Sequence, residues 1–271
     1  MIPAEFDYEV AESVEHAVQL LGGRPDAKLI AGGHSLLPLM RLRVARPGLL
    51  VDIGRLSDLR FVRQAGDRIE IGALTRHHDL ANDRLMRERC LVLAHTASLV
   101  GDPAVRHRGT IGGSLAHGDP ASDLPTTLLA LDAEFVALGP EGERTIPAAD
   151  FFRGIFETAL SSSDVLTEIR VPAASGTYVK FNRRAQDWAT VGVAVARTDG
   201  DVHVALTSMG PTPLRARAVE QALANGASPR EAADRAEEGK SPPSDTNGSA
   251  DFRRHLSRVL VRRALEETLS D

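Results

Sequence analysis

Two short stretches with paired glycines restrict this chain's fold more than any other feature. The first is Ala31-Gly32-Gly33-His34-Ser35-Leu36. A short apolar run over residues 28–31 leads into it, and a helical pattern over 36–44 leads out. The order strand, glycine turn, helix belongs to an α/β layer. The second is Gly109-Thr110-Ile111-Gly112-Gly113-Ser114, read as a glycine-rich loop, followed by Asp119-Pro120 and a helix from about Asp123 to Leu131. Glycine permits backbone conformations closed to other residues and lets another group approach the main chain.

Periodicity extends the pattern. Residues 13–21 carry Val14, Ala17, Val18 and Leu21 at helical spacing, with Ser13 as N-cap and Gly22-Gly23 as stop. Residues 49–53 read as a strand. Residues 59–63 and 68–73 alternate about Ala65-Gly66-Asp67 and predict a hairpin. Residues 80–100 are largely helical, up to Gly101-Asp102-Pro103, and strands are expected at 134–138 and 144–146. After residue 174 the segments 177–184, 191–197 and 202–208 read as an antiparallel sheet, with Asp199-Gly200 as a hairpin turn. Helices over 214–224 and 251–269 follow. The stretch 239–249, rich in Pro, Ser, Gly and Asp, reads as a mobile surface loop. The expected class is α+β. A larger domain, 1–174, holds two α/β subdomains that meet near residue 55, and a smaller C-terminal domain, 175–271, holds the antiparallel sheet.

The formal net charge is -5, which gives no electrostatic footprint for nucleic acid. The single cysteine, Cys90, excludes an intrachain disulfide and a cysteine-ligated cluster, and its apolar surroundings suggest a buried structural thiol. The N-terminus has no hydrophobic signal core, and no apolar run approaches the ~20 residues a spanning helix needs, so a soluble cytoplasmic protein is expected. His77-His78-Asp79 lacks metal-ligand spacing, no Gly-x-Ser-x-Gly elbow occurs, and Ser161-Ser162-Ser163-Asp164 reads as a turn. No metal site and no catalytic acid or base is expected.

The first glycine turn is suited to an anion. Successive backbone N–H groups at a helix start can converge on a pyrophosphate, and Ser35 adds a hydroxyl. It is neither the Gly-x-Gly-x-x-Gly fingerprint nor a P-loop, and a tight strand-to-helix turn would also account for it. The second stretch adds the Thr110 and Ser114 hydroxyls and places the Asp123 carboxylate in a helix's first turn, where the macrodipole favours it. Asp119 and Ser122 read equally well as simple caps.

Taken in order, these stretches resemble the FAD-binding medium subunit of molybdenum hydroxylases, a family that includes the carbon monoxide dehydrogenase medium chain and the flavin domain of xanthine dehydrogenase. The resemblance spans nearly the whole chain. It includes Val51-Asp52-Ile53, Ile71-Gly72-Ala73-Leu74-Thr75, Ser122-Asp123-Leu124-Pro125 and Lys180-Phe181-Asn182-Arg183-Arg184. It implies that Ala31, Gly32, Gly33, His34, Ser35 and Leu36 hold the FAD pyrophosphate. Thr110, Ile111, Gly112, Gly113 and Ser114 would lie along the ribityl–pyrophosphate side. Asp123 would bond ribityl or flavin-edge groups, Leu166 would approach the ring through its backbone, and Lys180 would lie at the ring's oxygen edge. Trp188, in composition a core or interface aromatic, would neighbour the ring, and the C-terminal domain would cover it.

Two departures from the family pattern stand out. Gly-Gly-Ser replaces a frequent Gly-Gly-Asn, which shortens the reach of residue 114. A Cys-rich insertion is lacking, which leaves FAD as the chain's only redox centre. The resemblance also implies partners: a small subunit with 2Fe–2S clusters and a large molybdenum subunit, in a heterotrimer or its dimer. Two rival readings are a free-standing flavin oxidase or dehydrogenase and a cofactor-free assembly scaffold.

Overall fold

A computed structural model describes residues 2–198 and 200–270. The chain opens with β1 (Asp7–Val10), α1 (Val14–Gly23), β2 (Ala27–Ile30), α2 (Leu36–Arg41) and β3 (Leu49–Asp52). The three strands form a parallel sheet in the order β1-β3-β2. Their carboxyl ends therefore lie at one edge, where open α/β sheets bind ligands. Ser13 caps α1 by accepting the His16 N–H, and Ala17, Val18 and Leu21 face a core shared with Leu49, Val51, Leu74 and Val165. The helix α2 stops at Arg41, short of the expected Val44. Arg43 turns left-handed (φ 59°), and the Val44 N–H returns to the Leu39 carbonyl. The strand β1 was not legible, because Asp-Tyr-Glu-Val is mostly exposed and carries no alternating apolar face.

The next unit begins with the hairpin β4 (Val62–Ala65) and β5 (Arg68–Gly72), turning at Gly66 (φ 62°). The expected long helix is divided into α3 (His77–Asn82), α4 (Arg84–Arg89) and α5 (Leu91–Ser98). Asp83 is the reason for the first break: it stays extended and caps α4 through the Met86 N–H. Then come α6 (Pro103–Arg106), α7 (Ile111–His117), α8 (Asp123–Ala130), β6 (Glu134–Gly139), β7 (Gly142–Pro147), α9 (Ala148–Phe151), β8 (Phe152–Gly154), β9 (Glu157–Thr158) and β10 (Val165–Pro172). An antiparallel sheet, β4-β5-β10-β6-β7, carries this unit.

The C-terminal part is an antiparallel sheet of β11 (Ser175–Phe181), β12 (Val191–Thr198), β13 (Asp201–Thr207) and β14 (Leu214–Arg215), with α10 (Arg217–Ala224), α11 (Pro229–Ala233) and α12 (Ala250–Leu269). Asp199 of the expected hairpin turn lies outside the described residues. Leu214 and Arg215 pair with β13 instead of starting a helix.

The strand β12 is buried on both faces. Val191, Val193 and Val195 pack with α10, α11 and α12, whereas Ala194 and Ala196 join the core of the preceding unit, together with Tyr178 and Ala205. Small residues on that face let the sheet lie close against α5 and α8. The stretch 239–249 is pinned at its middle: one Arg253 nitrogen, Nη2, reaches both carboxylate oxygens of Asp245, which also accepts the Asn247 N–H. The α+β class stands.

Candidate functional site

The first glycine turn sits at the carboxyl edge of the parallel sheet, between β2 and α2. Gly33 needs its glycine for conformation (φ 78°). Gly32 needs it for space: a Cβ there would stand 2.4 Å from the Arg108 carbonyl oxygen and 2.9 Å from the Gly109 Cα. The two glycine stretches, far apart in sequence, therefore touch main chain to main chain. Among the described residues, no protein acceptor takes the backbone N–H of Gly32, Gly33, His34, Ser35 or Leu36. Ser13, Asp83, Asp102, Thr110, Ser228 and Ser249 all close onto their helices as caps, but the Ser35 side chain makes no such bond. A row of unengaged N–H groups with a free hydroxyl matches the donor set a pyrophosphate requires.

The second stretch corrects the reading of it as a loop. From Ile111 onward it is the helix α7, and Thr110 is its N-cap, accepting the Gly113 N–H. Its donors are engaged by protein. The Ile111 N–H bonds the Thr75 carbonyl, the Gly112 N–H bonds the Ala73 carbonyl, and the Ser114 N–H bonds the Thr110 carbonyl. Gly112 is a packing glycine, since a Cβ would meet the Ala73 Cβ at 2.6 Å. Gly113 is exposed and Ser114 half-buried. Beneath this stretch the His77 N–H bonds the Gly109 carbonyl, and the His77 ring edge lies against Gly109. Burial, with help from the nearby Arg106 and His34 charges, lowers the His77 pKa to about 4.

Asp123 and Lys180 come together, as the resemblance to the family did not specify. Asp123 begins α8 and is 7% exposed. Its Oδ2 accepts from Lys180 Nζ at 2.8 Å, and its Oδ1 accepts from the Tyr178 hydroxyl at 2.6 Å. Lys180 Nζ also bonds the Leu99 carbonyl at 2.9 Å and the Asp187 carbonyl at 3.5 Å. Burial pushes the Asp123 carboxyl up, opposed by Lys180 and Tyr178, and burial with the facing carboxylate raises the Tyr178 phenol well above its usual range. Removing either charge would leave the other buried without compensation, at a cost of about 3–5 kcal/mol. Tyr178 escaped the sequence reading. Its signal was present: Tyr178 and Lys180 are two apart on a strand and so share a face.

Leu166 lies in β10 opposite Ala137, with a bulge before Glu168. The adjacent Thr167 carbonyl accepts the Ala73 N–H, and Ala73 in turn accepts from Gly112, so this strand is tied to the start of α7. Trp188 is 55% exposed on the segment between β11 and β12, next to Asp187, which meets Lys180. The residues thus form two groups, one at the glycine turns and one around Asp123, bridged by α7 and the turn at 118–122. Thr207 and Ser208 of the C-terminal part hold that turn through the Pro120 carbonyl. Cys90 is fully buried, with its thiol pushed up to about 12. Among the described residues, no cluster of three or more His, Cys, Asp or Glu is placed to hold a metal ion, and no helix is long and apolar enough to cross a membrane.

Comparison with known proteins gives concordant results. Residues 4–174 match the family described as the FAD binding domain in molybdopterin dehydrogenase, and residues 176–268 match the CO dehydrogenase flavoprotein C-terminal domain. The carbon monoxide dehydrogenase medium chain of Hydrogenophaga pseudoflava is 44% identical, covering 98% of this chain and 97% of that one. The glyceraldehyde dehydrogenase medium chain of Sulfolobus acidocaldarius is 36% identical, covering 98% and 99%. A solved structure of the Hydrogenophaga pseudoflava carbon monoxide dehydrogenase, in a form lacking the Mo-pyranopterin moiety, superposes with a TM-score of 0.96 over 100% of this chain and 99% of that chain.

Proposed function

The chain belongs to the FAD-binding medium subunits of molybdopterin dehydrogenases, the carbon monoxide dehydrogenase medium chain family, and from that membership we propose how its residues serve the role. It is the flavin subunit of a molybdenum-containing oxidoreductase complex. FAD, when bound, supplies a centre able to exchange electrons singly or in pairs, between 2Fe–2S clusters of a small partner subunit and an external acceptor. Substrate oxidation takes place on a large molybdenum subunit, and the assembly is a heterotrimer or its dimer in the cytoplasm.

The chain's own work is binding and orientation. The N–H groups from Gly32 to Leu36 and the Ser35 hydroxyl hold the pyrophosphate. These dipoles replace lysines, which suits a chain of net charge -5. Ala31 sets the approach of the turn and His34 adds a donor. Thr110, Ile111, Gly112, Gly113 and Ser114 form the rigid wall along the ribityl side. Asp123 accepts hydrogen bonds from ribityl or ring-edge groups, Leu166 presents backbone to the ring, Lys180 fixes the charge beside it, and Trp188 flanks it. The domain 175–271 closes over the domain 1–174 and excludes water.

The observation that supports this reading most is the row of N–H groups at residues 32–36 that have no protein acceptor among the described residues. The test is purification of the full chain, alone and with its co-purifying subunits, followed by flavin, molybdenum and iron analysis. Near-equimolar FAD on the chain, with substrate oxidation only in the complex, is expected. Protein that never takes up FAD overturns the assignment, and steady-state turnover by the chain alone replaces it with a free-standing flavoenzyme.

A further inference from the structure

The cluster around Asp123 contains one group that no role yet explains, the hydroxyl of Tyr178. It is 1% exposed, and its hydroxyl bonds only the Asp123 Oδ1 among the described residues. The backbone opposite is shaped to admit it. A Cβ on Gly192 would stand 2.3 Å from the Tyr178 hydroxyl oxygen and 3.0 Å from the ring carbon that bears it. Gly192 lies in β12, paired directly with Lys180 and two residues from Ala194, which pairs with Tyr178. A strand interior disfavours glycine, so a glycine there signals a close approach. Here the approaching group is the phenol.

We propose that Tyr178 is a positioning residue for the flavin: it holds the Asp123 carboxylate in one orientation so that both its oxygens keep a lone pair facing the cofactor. The proposal rests on Asp123 contacting bound FAD. An ionised carboxylate offers about four acceptor sites. Tyr178 occupies one on Oδ1 and Lys180 one on Oδ2, which pins the carboxyl plane between two fixed donors. Without the phenol the carboxylate is free to rotate and to give both oxygens to Lys180. Lys180 itself is held by the Leu99 and Asp187 carbonyls and so does not move to follow. Tyr178 is suited to the task because its proton stays on oxygen: burial and the facing carboxylate both oppose ionisation. The phenol therefore donates throughout the accessible pH range. The two donors and the acceptor come from opposite sides of the contact between α8 and the C-terminal sheet, so the same bonds make the geometry of Asp123 depend on closure of that sheet.

The test uses the full chain, alone and in its complex, with FAD titrated by flavin fluorescence and the midpoint potential of the bound flavin measured spectroelectrochemically. Tyr178→Phe is expected to raise the FAD dissociation constant about tenfold, the loss of one charge-assisted hydrogen bond, and to displace the midpoint potential and the visible flavin spectrum from wild type. Gly192→Ala, which keeps the phenol but pushes it off Asp123, is expected to reproduce these changes, and the double variant is expected to be no worse than the more affected single one. Unchanged affinity and potential in Tyr178→Phe overturn the proposal. The folded fraction of each apo variant is measured alongside, because Gly192→Ala also crowds Thr207; a rise in dissociation constant that vanishes once corrected for folded fraction overturns the proposal too, the phenol then being purely structural. Asp123→Ala separates the proposal from the reading beneath it. If Asp123→Ala leaves FAD binding intact, the role of Asp123 itself fails. If it weakens binding while Tyr178→Phe does not, the positioning role alone fails.

Discussion

The two glycine stretches look alike in sequence and behave differently in the fold. In the first, the N–H groups of residues 32–36 have no protein acceptor among the described residues, and the Ser35 hydroxyl caps nothing. In the second, Ile111, Gly112, Gly113 and Ser114 all donate to protein, and Thr110 is a working cap. One stretch has its polar groups left over, and the other has them built into the frame. A binding surface is read from unengaged donors at a defined place, not from glycine content. The contact of Gly32 with Arg108 and Gly109 shows how the two depend on each other: the second stretch is the wall against which the first is held.

The sharpest way to break the contrast is Gly32→Val. Its side chain meets the Arg108 carbonyl, a backbone group that cannot swing away. FAD binding is expected to weaken by at least about a hundredfold in flavin titration, and overpacking is expected to cost about 1–3 kcal/mol in thermal or urea unfolding. If binding survives, the contact between the stretches is not what forms the cradle.

The second stretch rests on His77, and pH probes it. The folded pKa is lowered to about 4 from the ordinary 6.5, so the folded chain keeps the ring neutral where the unfolded chain protonates it. Stability from this residue is full above about pH 6.5 and is lost as pH falls towards 4, by up to about 3 kcal/mol. Urea unfolding of the apo chain across that window should show the slope, and His77→Gln should flatten it. An identical slope in the variant would remove His77 from the account.

Gly112→Ala adds a methyl 2.6 Å from the Ala73 Cβ. It is expected to cost about 1–3 kcal/mol of stability while leaving the FAD affinity of the folded protein within about threefold of wild type, because the donors of that stretch already serve the frame. Ser35→Ala is the mirror case. With no cap bond to lose, the apo melting temperature should stay at wild type, and the FAD dissociation constant should rise about fivefold to tenfold for one lost hydroxyl contact. If Gly112→Ala abolishes binding at unchanged stability, or Ser35→Ala only destabilises, the two roles are exchanged.

Much of the fold could be read from local signals. The cap at Ser13, the hairpin at Gly66 and the alternation of the C-terminal strands all appear where periodicity and turn chemistry put them. What was missed lacked a local signal or was settled by competition. The strand β1 exists because β3 offers it a partner, not because Asp-Tyr-Glu-Val is amphipathic. Leu214 and Arg215 join the sheet because β13 has a free edge. The helix α11 did carry a signal, the capping box of Ser228 and Glu231, which went unread. In the candidate site, the first glycine turn was legible because its chemistry lies within six consecutive residues. The Asp123 cluster was only half legible: each residue could be singled out, but not the pairing between them.

The sequence alone determined which stretches could turn tightly, which faces had to be buried, and that a single cysteine could hold no cluster, because those follow from the dihedral freedom, periodicity and chemistry of individual residues. Only the tertiary structure decided which of two similar glycine stretches keeps its N–H groups free. A backbone donor is engaged or left over according to what packs beside it. For Gly112 that neighbour is Ala73, some forty residues away, and for Gly33 to Leu36 there is none among the described residues.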